Sequence, residues 1–263
     1  MKVGFCGNLF HFLSTEELFD LAVSTSFEII SLGADQIMRL PMEKIKQVQR
    51  VTEVCWHPRM GISLLDACRT AIEAGIRTLV VPAEESDRYK YDLLRVMEES
   101  GMIIALENGF GGCDVTPFEK NLYPTMGSTA DDLADLCSLL NAESGTSNFK
   151  VCLNTGHAVI CGQNCGAMVR RLGKLIISVH ANDNYTRNDY HLPPFRGRDS
   201  VDWEDFFSAC RELVYNGDIY IDADDLLTRQ NAQITKDYFS VLYNLCYHIK
   251  DRIEFNQNPV GGV

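Results

Sequence analysis

Eight short apolar runs recur along the chain, at residues 2–6, 27–32, 51–56, 78–81, 102–106, 150–153, 175–179 and 218–221. Most are apolar at consecutive positions, which predicts strands covered on both faces and hence a parallel sheet. Amphipathic stretches separate them. Residues 15–26 begin behind Ser14 with two acids, a capping pattern. Residues 63–74 place Leu64, Leu65, Ala67, Cys68, Ala71 and Ile72 on one face and stop at Gly75. Further helices are predicted over 91–99 ahead of Gly101, over 131–140, and over 202–214 behind Asp202. Eight β-then-α units in 263 residues predict an α/β fold, one (β/α)8 TIM barrel over residues 1–255 with a frayed tail at 256–263. The alternative, an open doubly wound sheet, prefers a glycine-rich phosphate turn after its first strand. The chain has Gly7-Asn8-Leu9-Phe10-His11 there, which does not match.

Charge narrows the function classes. Lys plus Arg is 24 against 36 for Asp plus Glu, a formal net charge of -12. Nucleic acids and anionic membranes both call for a basic surface, so neither is an expected partner. No apolar run approaches the ~20 residues of a membrane helix, and no secretory signal is visible, so a cytoplasmic location is expected. The ten cysteines are spread from Cys6 to Cys246 and are expected to be reduced, small buried hydrophobes. Cys161-Gly-Gln-Asn-Cys165 has zinc-like spacing, but no second pair accompanies it.

Candidate chemistry gathers where the predicted strands end: His57, Glu107, Asn154 with His157, His180 with Asp183, Asp189 with His191, and Asp222. Singly, Glu107 reads as a cap or a surface partner, and His180 as a satisfied buried imidazole. On a barrel these ends converge on one face, where active sites are assembled. Uncompensated carboxylates there are costly, and a divalent ion is the usual compensation. The long connections 108–129 and 181–201 lie on the same face, and long loops in compact domains are commonly functional. Arg187, Arg196 and Arg198 bring positive charge to the second loop. They read as solvated side chains, with anion binding as the sharper alternative.

Four motifs carry a family resemblance: Leu106-Glu107-Asn108, Asn154-Thr-Gly-His157, His180-Ala-Asn-Asp183, and His191 followed by a Pro/Gly-rich turn and Val-Asp-Trp203. With them the chain resembles the xylose-isomerase-like barrel superfamily, which includes sugar isomerases, ketose 3-epimerases, inosose dehydratases and endonuclease IV-like enzymes. The resemblance implies a divalent ion (Mn²⁺, Mg²⁺, Co²⁺ or Zn²⁺) held by Glu107, Asn154, His180 and Asp222. It implies proton transfer next to a carbonyl by Glu107 and Asp222, and substrate contacts from His57, His157, Asp183, His191 and Arg198. Phe10, Phe110 and Trp203 are candidates for stacking on a sugar ring, with plain packing favoured for Trp203. The implied activity is isomerisation or epimerisation of a sugar, sugar acid or cyclitol by an enzyme that is commonly a homo-oligomer. The alternatives are an inosose-type dehydratase and a barrel that binds a polyol without chemistry. A nuclease ranks lower. That branch has ligands where His57, Asp189 and His191 stand, but also a fourth-strand His that Val80-Val81-Pro82-Ala83 lacks. Two positions depart from the sugar-enzyme pattern: Asn154 replaces an acid, and Asp222 replaces a longer Glu.

Overall fold

The computed structural model describes residues 1–7, 10, 13–48, 50–110, 125–184, 189–196, 200–223 and 232–254. The strands are β1 (Val3–Cys6), β2 (Ile29–Gly33), β3 (Val51–Cys55), β4 (Thr78–Pro82), β5 (Ile103–Glu107), β6 (Phe149–Asn154), β7 (Ile176–Ala181) and β8 (Asp218–Ile221). They close into a parallel barrel in sequence order, with β8 pairing back onto β1. Each predicted run is a strand, and the (β/α)8 TIM barrel is the observed architecture. Strand residues are buried almost throughout because the barrel interior covers one face and helices cover the other.

Local chemistry sets the helix ends. Ser14 Oγ accepts from the Glu17 N–H at 3.2 Å, and Glu17 Oε2 accepts from the Ser14 N–H at 2.9 Å, closing a capping box on the helix Thr15–Ser24. Ser63 caps Leu64–Glu73, Thr129 caps Ala130–Ser144, and Asp202 caps Trp203–Glu212. The stripe on Leu64–Glu73 is narrower than predicted: Leu64, Ala67, Cys68 and Ala71 are buried, whereas Ile72 is 46% exposed. The long helix Ala232–Glu254 follows the eighth strand and packs on β1 and β8.

Phe10 is not at the mouth. It is buried, with its ring 5.6 Å from Phe5 and 5.1 Å from Phe239, so its contacts are those of core packing. Trp203 packs against Phe206 and Phe207, as expected. The thiols of Cys161 and Cys165 reach separate carbonyls, those of Gly109 and Thr155. Among the described residues, no helix is long and apolar enough to cross a membrane. Arg187, Arg198 and the tail 256–263 lie outside the described residues.

Gly4 shows how tightly β1 and β2 are drawn together. A methyl group there would collide with the carbonyl of Ile29 on the neighbouring strand. Gly4→Ala is expected to lower stability by about 1–3 kcal/mol through overpacking. Urea unfolding checks this, and an unchanged midpoint would show that the strands separate freely.

Candidate functional site

Asn154 ends β6 and caps the helix Thr155–Ile160. Its Oδ1 accepts from the His157 N–H at 3.1 Å and from Asn182 Nδ2 at 2.9 Å. A backbone N–H can only donate, so the oxygen of the amide is fixed on that side. The Asn154 NH₂ therefore faces the mouth, donating to Glu107 Oε1 at 3.1 Å and to Asp222 Oδ2 at 3.4 Å. Glu107 ends β5 and Asp222 follows β8, so one amide joins acids from separate strands. Asn182 Nδ2 also donates to Asp222 Oδ2, at 3.3 Å.

His180, on β7, lies between two carboxylates. Its Nδ1 is 2.8 Å from Glu107 Oε1, and its Nε2 is 2.8 Å from Glu53 Oε1. Glu53 comes from β3 and is 1% exposed. It is not among the candidates that the sequence pattern offers. The available signal was an acid inside an apolar strand run, which needs a buried partner. Burial works against a charged His180, but the electron-rich thiols of Cys152 and Cys6 and the carboxylate of Glu53 outweigh it. The ring is held well above its usual range. Burial likewise opposes ionisation of Glu107, yet the hydrogen bond and charge of His180 leave that carboxyl below its ordinary value.

A second group forms at the mouth. His191 Nε2 lies 3.0 Å, and His157 Nε2 3.6 Å, from the same oxygen, Asp189 Oδ2. The other nitrogens are anchored: His157 Nδ1 on the Asn108 carbonyl at 2.8 Å, and His191 Nδ1 on Asp222 Oδ2 at 3.1 Å. Asn184 Nδ2 donates to Asp189 Oδ1 at 3.2 Å. Burial disfavours charge on His191, but the charge of Asp222 and hydrogen bonds to Asp189 and Asp222 raise it well above its usual range. His157 is raised in the same way by Asp189. Against their own burial, Asp189 and Asp222 are lowered, Asp189 by its hydrogen bonds to His157 and His191, Asp222 by the charge of His191 and its hydrogen bond.

The remaining candidates take other positions. His57 caps the short turn Pro58–Met60, its Nδ1 accepting from the Arg59 N–H at 3.0 Å. Burial, then the Arg59 charge, lower its pKa, so it is the neutral histidine of the mouth. Asp183 is buried and engaged by its own loop, accepting from the Arg196 and Val201 N–H groups, Trp203 Nε1 and the Ser200 hydroxyl. Phe110 lies with its ring 4.5 Å from that of His157.

These atoms test the fit of a divalent ion. His157, Asp189 and His191 offer donor atoms within 4.8 Å of one another. Each imidazole is anchored through its other nitrogen, as metal-binding histidines are. That donor set fits. Between Glu107 and Asp222 the fit fails as the side chains stand, because Asn154 presents N–H protons there and its oxygen is committed elsewhere. Asp222 Oδ1, Glu53 Oε2 and Asn182 Oδ1 are buried without a hydrogen-bond partner.

Residues 63–242 match the model of the xylose isomerase-like TIM barrel family. The chain belongs to that family. Its barrel superposes on a D-tagatose 3-epimerase-like protein with a TM-score of 0.70 at 17% identity, covering 96% of this chain and 100% of that one. It superposes on the probable 3-DHS dehydratase AsbF of Bacillus anthracis with a TM-score of 0.63 at 15% identity, covering 95% and 98%. In sequence it is 24% identical over 166 residues to an uncharacterized protein of Sinorhizobium fredii, 61% of this chain and 51% of that protein. The chain thus spans about half the length of the curated relatives it matches.

Two predictions follow from this network. Glu53→Ala strands the His180 N–H in the barrel and should destabilise the fold by about 3–5 kcal/mol, as breaking a buried pair does. Glu53→Gln keeps an acceptor oxygen and should lose less. Scanning calorimetry distinguishes them, and equal losses would mean that Glu53 serves only as volume. The second concerns pH. Raised histidines contribute stability that is complete below about 6.5 and is lost as pH climbs through their folded values. Lowered carboxyls contribute stability that is complete above about 4 and is lost on acidification. Stability should therefore peak between these limits and decline toward pH 9. Urea midpoints that rise with pH across the alkaline side would contradict the assignment.

Proposed function

We propose that this barrel is an isomerase or epimerase of a small sugar, sugar acid or cyclitol, acting by proton transfer next to a carbonyl. The observation that carries the reading is the pair Glu107 and Asp222, both ionised at neutral pH and both hydrogen-bonded to the amide of Asn154. One carboxylate accepts the proton from the carbon beside the carbonyl. The C–H electron pair becomes the enediolate double bond, and the carbonyl oxygen becomes an alkoxide. The charge of His180 and the amide dipole of Asn154 stand beside the acids and would offset that charge, which is where preorganised groups are most effective. On the other side His191, hydrogen-bonded to Asp222 Oδ2, passes its proton to that carboxylate, which delivers it to carbon; the first carboxyl then loses its captured proton to solvent and His191 regains one. Delivery to the opposite face inverts the carbon, and delivery to the neighbouring carbon isomerises the sugar. A divalent ion held by His157, Asp189 and His191 would polarise substrate oxygens at the mouth.

The likeness to an epimerase-like protein supports this reading. The likeness to a probable dehydratase supports a second outcome of the same enolate, loss of a β-hydroxyl. On either reading the partner is a small molecule and the compartment the cytoplasm.

The test is incubation with ketoses, aldoses, keto-acids and inososes, with products separated by chromatography. Wild type is expected to give an epimer or isomer, whereas an unsaturated product would assign the dehydratase. Glu107→Gln and Asp222→Asn keep shape and remove the proton acceptor, so each should lose ~10²–10⁴-fold in rate. Near-normal turnover in either folded variant would place the proton on another residue.

A further inference from the structure

We infer that the amide of Asn154 takes the place of a metal ion between Glu107 and Asp222, so that no divalent ion bridges these acids in this protein. A bridging cation does two things: it balances paired carboxylates, and it occupies the space between them. Here hydrogen bonds from histidines take over the first task. His180 hydrogen-bonds Glu107 through Nδ1 and buried Glu53 through Nε2, and His191 hydrogen-bonds Asp222. The second falls to the Asn154 NH₂, which contacts one oxygen of each acid. Turning the amide to offer its oxygen would set its NH₂ against two donors, the His157 N–H and Asn182 Nδ2. The start of the helix Thr155–Ile160 therefore locks the donor orientation. Glu107 and Asp222 each come within 4.8 Å of His180, but in separate clusters, Glu107 with Cys152 and Asp222 with Cys6, whereas His157, Asp189 and His191 converge as one set. Asn154 acts as a hydrogen-bond donor to the acids. The inference concerns where an ion sits and does not depend on which sugar reacts.

Mn²⁺ binding to the intact protein tests it, by titration calorimetry with circular dichroism to confirm folding. Glu107→Gln, at an acid that touches none of His157, Asp189 and His191, should leave Mn²⁺ binding of the otherwise wild-type protein unchanged. Asn154→Asp should create a bridging site, tightening Mn²⁺ by ~10–100-fold, the range in which ligand-shell changes act. Adding Glu107→Gln to Asn154→Asp should remove that gain. The inference is overturned if Glu107→Gln alone weakens wild-type Mn²⁺ binding by about tenfold or more. It is equally overturned if folded Asn154→Asp gains no Mn²⁺ affinity. Neither result bears on turnover, so failure here and failure of the proposed activity are separable.

Discussion

The hydrogen bonds from His180 to Glu53 and Glu107 govern the barrel mouth. A carboxylate in the interior of a barrel loses its hydration, and the loss is tolerable only with a hydrogen-bonded partner of opposite charge. Glu53 is such a group, and His180 is the partner placed on it by β7. Because the imidazole has a second nitrogen, fixing Nε2 on Glu53 also aims Nδ1 at Glu107. The surface pairs, such as Lys90 with Glu143 or Arg171 with Asp131, are exposed and contribute at most about 1 kcal/mol each. They do not set the architecture of the site.

From Glu107 the network passes through Asn154 to Asp222, then through His191 and Asp189 to His157, whose Nδ1 returns to the carbonyl of Asn108. Asn154 is the joint. It caps a helix with its oxygen and holds two acids with its nitrogen, so the fold and the chemistry meet in one side chain. Gly156 makes this crossing feasible: a methyl group there would collide with the Asn182 oxygen and the Asn184 amide. An amide suits the position because a carboxylate would bring a third negative charge beside Glu107 and Asp222, which then calls for an ion.

Much of this was legible in the chain. Buried parallel strands announce themselves as consecutive apolar runs, and the strand-end positions of Glu107, Asn154, His180 and Asp222 followed from that register. Their meeting around Asn154 follows from barrel closure. What the pattern concealed was orientation. Glu53 sits mid-strand, where alternation is lost and an acid looks like an interruption. Asp183 looked like a substrate residue, yet its carboxylate holds the loop from Arg196 to Trp203, a set of contacts that depends on how the chain folds back. Phe10 follows β1, as a mouth residue would, but its ring turns into the core against Phe239. The direction of the Asn154 amide is decided by the His157 N–H, which only the helix start places there.

The most direct probe of the central interaction is the nitrogen-15 spectrum of His180 in histidine-labelled protein at neutral pH, assigned by loss of its signals in His180→Gln. The account predicts that both ring nitrogens carry protons and donate to Glu107 and Glu53, and that Glu53→Gln shifts the Nε2 signal most. A ring with one unprotonated nitrogen, insensitive to substitution at Glu53, would contradict it.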